Sequence, residues 1–137
     1  MRLQLQSLEV RGPDDFERVF KTATGKGAQG FIPLRDPLFV TQRKRIVELA
    51  AKSKLPAIYD EIAFTEAGGL MSYGTNLADV YRRAATYVDK ILKGRTPADL
   101  PVEQPMKFEF IINLQAAKKI GLTIPPNVLV RANRVIR

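Results

Sequence analysis

The sequence predicts an α/β fold, an open and mostly parallel sheet flanked by helices. Three observations carry this expectation. Segments with strand-like alternation are separated by segments with helical periodicity, in the order β-α-β-α-β-β-α-extended-β-α. That alternation favours parallel strands joined by right-handed crossovers. Residues 77–93 keep apolar side chains at helical spacing (Leu77, Val80, Tyr81, Ala84, Ala85, Val88, Ile91, Leu92), which marks one long amphipathic helix. Finally, 137 residues that are 45% hydrophobic and 26% charged have the size and composition of one globular domain.

Taken in order, Leu3 to Val10 reads as a strand. Leu3 and Leu5 share one face while Leu8 and Val10 take the other parity, so the strand is either buried on both faces or bulged near Ser7. Gly12-Pro13-Asp14-Asp15 opens a helix, with Pro suited to its first position and the acids suited to the positive end of its dipole. Phe16, Val19, Phe20 and Ala23 form its apolar face, and Gly25 and Gly27 end it. Gly30 to Leu34 is a short strand weakened by Pro33, which lacks an N–H. Arg35 to Val40 follows as a loop. Thr41 caps a helix to about Lys52 that turns Ile46, Leu49 and Ala50 inward.

Ala57-Ile58-Tyr59 is the next strand. Asp60 to Gly68 is a polar and aromatic loop with room for one helical turn, and Gly69 to Tyr73 is another strand. Gly74-Thr75-Asn76 is a turn, with Asn76 the N-cap of the long helix and Gly94 its C-terminal stop. Residues 95–106 hold Pro97, Pro101 and Pro105, and read as an extended crossing segment with no helix. Lys107 to Ile112 is a strand whose Phe108 and Phe110 belong to the core. Asn113 caps a short helix closed by Gly121, and Pro125-Pro126-Asn127 opens a last one with Val128, Leu129 and Val135 as buried positions.

Composition removes several function classes. There is no Cys and no His. A thiol nucleophile, a disulfide framework, a Ser-His-Asp triad and a thiolate zinc site are therefore impossible, and the commonest metal ligand and general base are missing. No catalytic residue, cofactor or metal is expected. The net charge is +8. The cations are dispersed as Arg43-Lys44-Arg45, Arg82-Arg83, Lys118-Lys119, Arg131, Arg134 and Arg137, with no interleaved aromatic residues. That pattern suits a solvated basic surface better than a nucleic-acid interface, so no nucleic-acid partner is expected. No apolar run reaches membrane-span length, and the N-terminal residues form no signal core.

The organising stretch is Pro56 to Gly94: strand, loop, strand, turn and long helix. Its polar and aromatic residues fall at the ends of strands, where open α/β sheets bind ligands. Several ordered blocks also resemble a known family. They are Glu66-Ala-Gly-Gly-Leu-Met-Ser-Tyr-Gly-Thr-Asn-Leu-Ala-Asp79, Tyr81-Arg-Arg-Ala-Ala-Thr-Tyr-Val-Asp-Lys-Ile-Leu-Lys-Gly94 and Ala98-Asp-Leu-Pro-Val-Glu-Gln-Pro105. To these add Lys107-Phe-Glu-Phe-Ile-Ile-Asn-Leu114, Ala117-Lys-Lys-Ile-Gly-Leu-Thr-Ile-Pro125 and Asp36-Pro37-Leu38-Phe39. Together they resemble the substrate-binding proteins of ABC transporters, the bacterial periplasmic solute receptors that include tryptophan- and tyrosine-type uptake proteins.

The resemblance implies the C-terminal lobe of a type I periplasmic binding protein, without its first strand and helix. Residues 1–137 would form a single, partial α/β lobe. Family members are about twice this length and carry a secretion signal and an N-terminal lobe. The family location is periplasmic, whereas the chain as written has no signal and would stay cytoplasmic. The strand order implied for the lobe is 2-1-3-4-5, so Leu3–Val10 and Gly30–Leu34 would lack the strand between them. The helix from Leu77 resembles one that packs on the N-terminal lobe. Exposed strand edges and an uncovered apolar stripe then imply a homodimer or higher oligomer, with exchanged strands or helices.

The resemblance also implies which residues line the solute cleft: Asp36 and Pro37, then Tyr59, Asp60 and Glu61, then Ser72, Tyr73 and Gly74, with Asn76 at the helix start. Asp36 suits a solute ammonium group, or else caps the helix near Thr41. Tyr59 suits stacking on a ligand, or else is a half-buried strand-end tyrosine. Ser72 and the amides of Gly74–Asn76 suit a carboxylate, unless Asn76 uses those amides as a cap. Asp60-Glu61 departs from the Gly-Phe or Asp-Ser pairs associated with this position. The implied function is the solute-binding component of an ABC importer, for an amino-acid-like, aromatic or carboxylate solute, with an ABC permease as partner in the full-length family. The alternative is a self-associating structural or regulatory module on the same fold. The missing helix-turn-helix argues against a regulator.

Overall fold

The computed structural model describes residues 3–137. Its sheet has four strands in the order β1 (Ile58–Tyr59), β2 (Met71–Thr75), β3 (Phe108–Asn113), β4 (Arg134–Ile136). β1 and β2 are parallel, β2 and β3 antiparallel, and β3 and β4 parallel, so the sheet is open and mostly parallel. Seven helices flank it: α1 (Asp15–Gly25), α2 (Pro37–Thr41), α3 (Arg43–Lys52), α4 (Ile62–Glu66), α5 (Leu77–Leu92), α6 (Leu114–Ile120) and α7 (Pro126–Leu129).

Two apolar clusters form the core. Phe16, Phe20 and Ala23 of α1 meet Ile46, Val47 and Ala50 of α3 above Ala57, Tyr59 and Phe64. Leu70 and Ile112 meet Ala116 and Ala117 of α6 and Ile124. The periodicities of α1, α3 and α6 therefore bury the faces they advertise. Caps follow the sequence as well. Asn76 Oδ1 accepts the Asp79 N–H at 2.9 Å, and Asn113 Oδ1 accepts the Ala116 N–H at 3.0 Å. Gly94 and Gly121 take positive φ just past their helices, where a side chain would be strained.

Several local expectations are corrected. Leu3–Val10 forms no strand: only Leu8 and Val10 pack on the core, while Leu3 and Leu5 are exposed. A strand needs a ladder partner, and among the described residues this segment has none. Gly30–Leu34 makes a single parallel bridge, Phe31 to Ala57, before Pro33 removes a donor and the segment leaves the sheet. The Arg35–Val40 loop contains α2, opened by Pro37 at its first position and capped by Asp36. Thr41 ends that helix, its hydroxyl donating to the Leu38 carbonyl at 2.8 Å, and Gln42 begins α3 instead.

Gly74 and Thr75 continue β2 instead of turning, because β3 pairs with them as far as Phe108. A 3-10 turn, Pro97–Asp99, interrupts the crossing segment, since proline's fixed φ suits a first helical position as well as an extended one. Val135 lies in β4 and not in the last helix; a three-residue strand has too little sequence to show its period. Phe108 is not in the core: it is half-exposed at the start of β3.

The chain leaves the sheet at the C-terminal end of β2, runs out along α5, returns through residues 93–106, and re-enters at the same end through β3. α5 has no buried residue. It is tied at its root and along the return segment. Arg83 pairs with Glu103 at 3.0 Å, and the Tyr87 hydroxyl donates to the Pro101 carbonyl. Its apolar stripe, from Tyr81 through Val88 to Leu92, is open.

Candidate functional site

β1 and β2 point the same way, so their C-terminal ends form one rim, joined by the N-terminal end of antiparallel β3. Asp60 and Glu61 follow β1 directly. Gly74 to Asn76 end β2. Arg35, Asp36 and Pro37 arrive from the segment that bridges β1 at Phe31. The rim thus gathers residues scattered over the sequence.

The contacts between them are specific. An Arg35 guanidinium nitrogen lies 3.0 Å from Glu61 Oε1, and the Glu61 side chain is only 13% exposed. Asp36 Oδ1 accepts the Leu38 N–H at 2.7 Å, so Asp36 serves as a cap, though of α2 and not of a helix at Thr41. Pro37 is exposed beside it. Gly74 lies so close to the Asp60 carbonyl that an added Cβ would stand 1.8 Å from that oxygen. The Asn76 N–H donates to the Lys107 carbonyl at 3.0 Å, and its side-chain amide donates to Glu109. Asn76 therefore occupies the first turn of α5 itself. The Asp60 carboxylate makes no hydrogen bond or ion pair among the described residues, although the residue is half-buried.

Below Asn76, Asp79 is met by Lys107 at 3.1 Å and by Arg82 and Arg83 at 3.4 Å each. The hydrogen bond from Lys107, aided by the nearby cations, holds its carboxyl below the ordinary aspartate value against some desolvation. This cluster pins the root of α5 to β3.

Tyr59 and Ser72 sit differently. They are register partners on adjacent strands, and both side chains are buried. Tyr59 stacks on Phe64 with centroids 4.6 Å apart and meets Phe31 edge-on. Its hydroxyl, Ser72 Oγ and Thr65 Oγ1 are buried with no hydrogen-bond partner. Burial raises the Tyr59 pKa above its ordinary 10.0. Above pH 10 the unfolded chain loses this proton and the folded chain keeps it, so stability falls as pH rises through that range. Tyr59→Phe is expected to match or exceed the parent in stability at pH 7, by up to about 1 kcal/mol, because an unpartnered buried hydroxyl is removed. Between pH 10 and 11 it should escape a loss of about 1 kcal/mol. Urea unfolding of both proteins across that range checks this.

Tyr73 takes the opposite face. It is 54% exposed and stacks on Phe108, itself 47% exposed, with centroids 5.7 Å apart and planes 15° from parallel. Phe110 meets Tyr73 edge-on at 6.3 Å. Sequence reasoning missed Phe108, Arg35 and Glu109 as rim residues. Alternation placed Phe108 and Phe110 on one face correctly, but parity does not tell the covered end of a face from the uncovered end. Among the described residues, Asp36, Asp60, Glu61 and Glu109 set the rim's charge against Arg35 and Lys107, so the rim is locally acidic in a chain of net charge +8.

A family model for ABC transporter substrate binding proteins matches residues 1–136. A solved ABC domain from Streptococcus pneumonia, in complex with L-Trp, superposes with a TM-score of 0.85 at 26% identity, over 98% of this chain and 45% of that one. A conserved domain protein from Vibrio cholerae gives 0.82 at 25% identity, over 92% of this chain and 42% of that one. An uncharacterized protein of Rickettsia prowazekii is 25% identical over 128 residues, 93% of this chain and 42% of its own length. The chain thus spans less than half the length of each.

Proposed function

This chain belongs to the ABC transporter substrate binding protein family, and we propose that it supplies one wall of a solute-binding cleft. The observation that carries the reading is the rim itself. Residues from separate segments, Asp36 and Pro37, Asp60 and Glu61, and Tyr73 to Asn76, meet at one end of the sheet beside half-exposed aromatic rings. Tyr59 and Ser72 support that wall from beneath it. A wall of this kind binds and orients; it offers no nucleophile paired with a base.

The solute is a small amino-acid-like, aromatic or carboxylate molecule. The L-Trp in the complex of the structural relative supports that class. An opposing surface completes the cleft. The open stripe on α5 argues that a second copy of this chain supplies it in a homodimer or larger assembly, because such a stripe gains stability only when covered. In a full-length relative, the periplasm is the setting and an ABC permease the onward partner. A thermal-shift screen with aromatic and branched amino acids tests the reading. At millimolar ligand, at least one solute is expected to raise the melting temperature in a saturable way. A flat response to all of them contradicts it.

A further inference from the structure

The open stripe of α5 is ordered by size. Along the helix it runs Leu77, Tyr81, Ala84, Ala85, Val88, Leu92: two large side chains, two small, two large. Helical spacing puts the six on one face, and all are exposed. Val80 and Ile91 flank them. The order of sizes is the same from either end, because each pair, Leu77 with Leu92, Tyr81 with Val88 and Ala84 with Ala85, is centred on the point between the two alanines. A two-fold axis at that point gives such symmetry a use: residue i then meets residue j while j meets i. The alanines let two helix backbones approach to about 8 Å at the crossing, and the large side chains fill the space to either side.

Charge sets the direction of the pairing. α5 starts at the rim, with Asn76 as its N-cap, and its 16 residues end about 24 Å away. At that outer end Lys90, Lys93 and Arg95 stand against Asp89, which Lys93 meets at 2.9 Å. At the rim Asp36, Asp60, Glu61 and Glu109 stand against Arg35 and Lys107. Antiparallel pairing carries the basic end of each helix to the acidic rim of the other copy, and it also opposes the two helix dipoles favourably. With the alanines opposed, Leu92 is level with the partner's Leu77, and Lys93 with the partner's Asn76. Parallel pairing sets rim against rim, acid facing acid.

We propose that two copies pair their α5 helices antiparallel about a two-fold axis between Ala84 and Ala85, and that residues 93–95 of each copy close the rim of the other. The proposal rests on the covering of α5 by a second copy and deepens it, since each rim is then complete only under the end of the other copy's helix. The apolar centre supplies the association, and the charged ends select its direction.

The chain has no cysteine, so single substitutions report the register through disulfide formation. Under mild oxidation, Ala84→Cys is expected to give a linked species of twice 15.3 kDa, because the two copies of residue 84 flank the axis within the roughly 7 Å between Cα atoms that a disulfide spans. Tyr81→Cys and Val88→Cys should each link poorly alone, since like copies stand about 10 Å apart along the axis. Mixed in equal amounts under reducing conditions and then oxidised, the two should link at least about tenfold more than either alone. Lys93→Glu combined with Arg95→Glu should weaken association about tenfold by light scattering, with an unchanged far-ultraviolet circular dichroism spectrum. Linking of Tyr81→Cys alone to the level of the mixture means parallel pairing and overturns the proposal. Absence of linking by Ala84→Cys overturns it too, and with a monomeric parent leaves the stripe to a surface outside this chain. A charge reversal that leaves association unchanged contradicts closure of the rim. The solute wall is tested apart from all of these, by the thermal-shift response of the parent.

Discussion

Gly74→Ala is expected to disrupt the ordered rim and lower folding stability by about 3 kcal/mol, the upper end of what overpacking costs. The reason is room, not backbone conformation. Gly74 does not take a positive φ, but its missing Cβ would stand 1.8 Å from the Asp60 carbonyl oxygen and 2.8 Å from the carbonyl carbon. Both are backbone atoms at the end of β1, so no rotamer change relieves the clash. Gly74 also pairs with Glu109 in the β2–β3 ladder, so any shift of its backbone is passed to the second neighbour. Either β1 and β2 part at their ends or β2 leaves β3. Gly25→Ala is the control, because an added Cβ there meets nothing within 4 Å. Urea unfolding midpoints should fall sharply for Gly74→Ala and hardly move for Gly25→Ala. Similar midpoints for the two would remove the close approach from the account.

The second large effect concerns α5. Val88→Asp combined with Ile91→Asp is expected to convert an assembled protein into monomers while leaving the fold of the sheet intact. Both side chains are exposed in the single chain, as are Tyr81 and Leu92, and none of the four contributes to either core cluster. Within one chain the double substitution therefore removes little burial. In an assembly that covers the stripe, each apolar side chain contributes about 1.5–3 kcal/mol, and each new carboxylate adds a desolvation cost. Weakening of association by a thousandfold or more follows from those magnitudes. Light scattering at micromolar concentration should give a multiple of 15.3 kDa for the parent and that single mass for the variant. A parent that is monomeric under those conditions contradicts the proposed covering of α5 by a second copy.

The sequence made the long elements legible and the short ones obscure, and the difference is physical. α1 and α5 carry several turns of periodicity, and α5 and α6 carry explicit caps at Asn76, Asn113, Gly94 and Gly121, so their positions could be read from local chemistry alone. Leu3–Val10 has the alternation of a strand, yet a strand exists only through its neighbour, and no local pattern reports whether that neighbour is there. α2 was hidden because Asp36-Pro37 reads equally as a turn and as a cap with a first-position proline. At the rim, the family resemblance pointed to Asp36, Asp60, Glu61, Tyr73, Gly74 and Asn76, and the fold carries these positions to one end of the sheet. It did not separate Tyr59 and Ser72, which are buried, from Tyr73, which lies on the other face at its uncovered end. Nor did it find Arg35, since an ion pair across 26 positions of sequence leaves no mark on either residue.

Hydrogen exchange at the rim tests the central claim most directly. With a stabilising solute at saturating concentration, the amides of residues 59–61 and 72–76 should become protected, while those of residues 41–45, where α2 passes into α3, and of the outer half of α5 should not change with solute. Protection confined to residues 41–45, or no protection at the strand ends while the solute is bound, would contradict a solute wall at this end of the sheet.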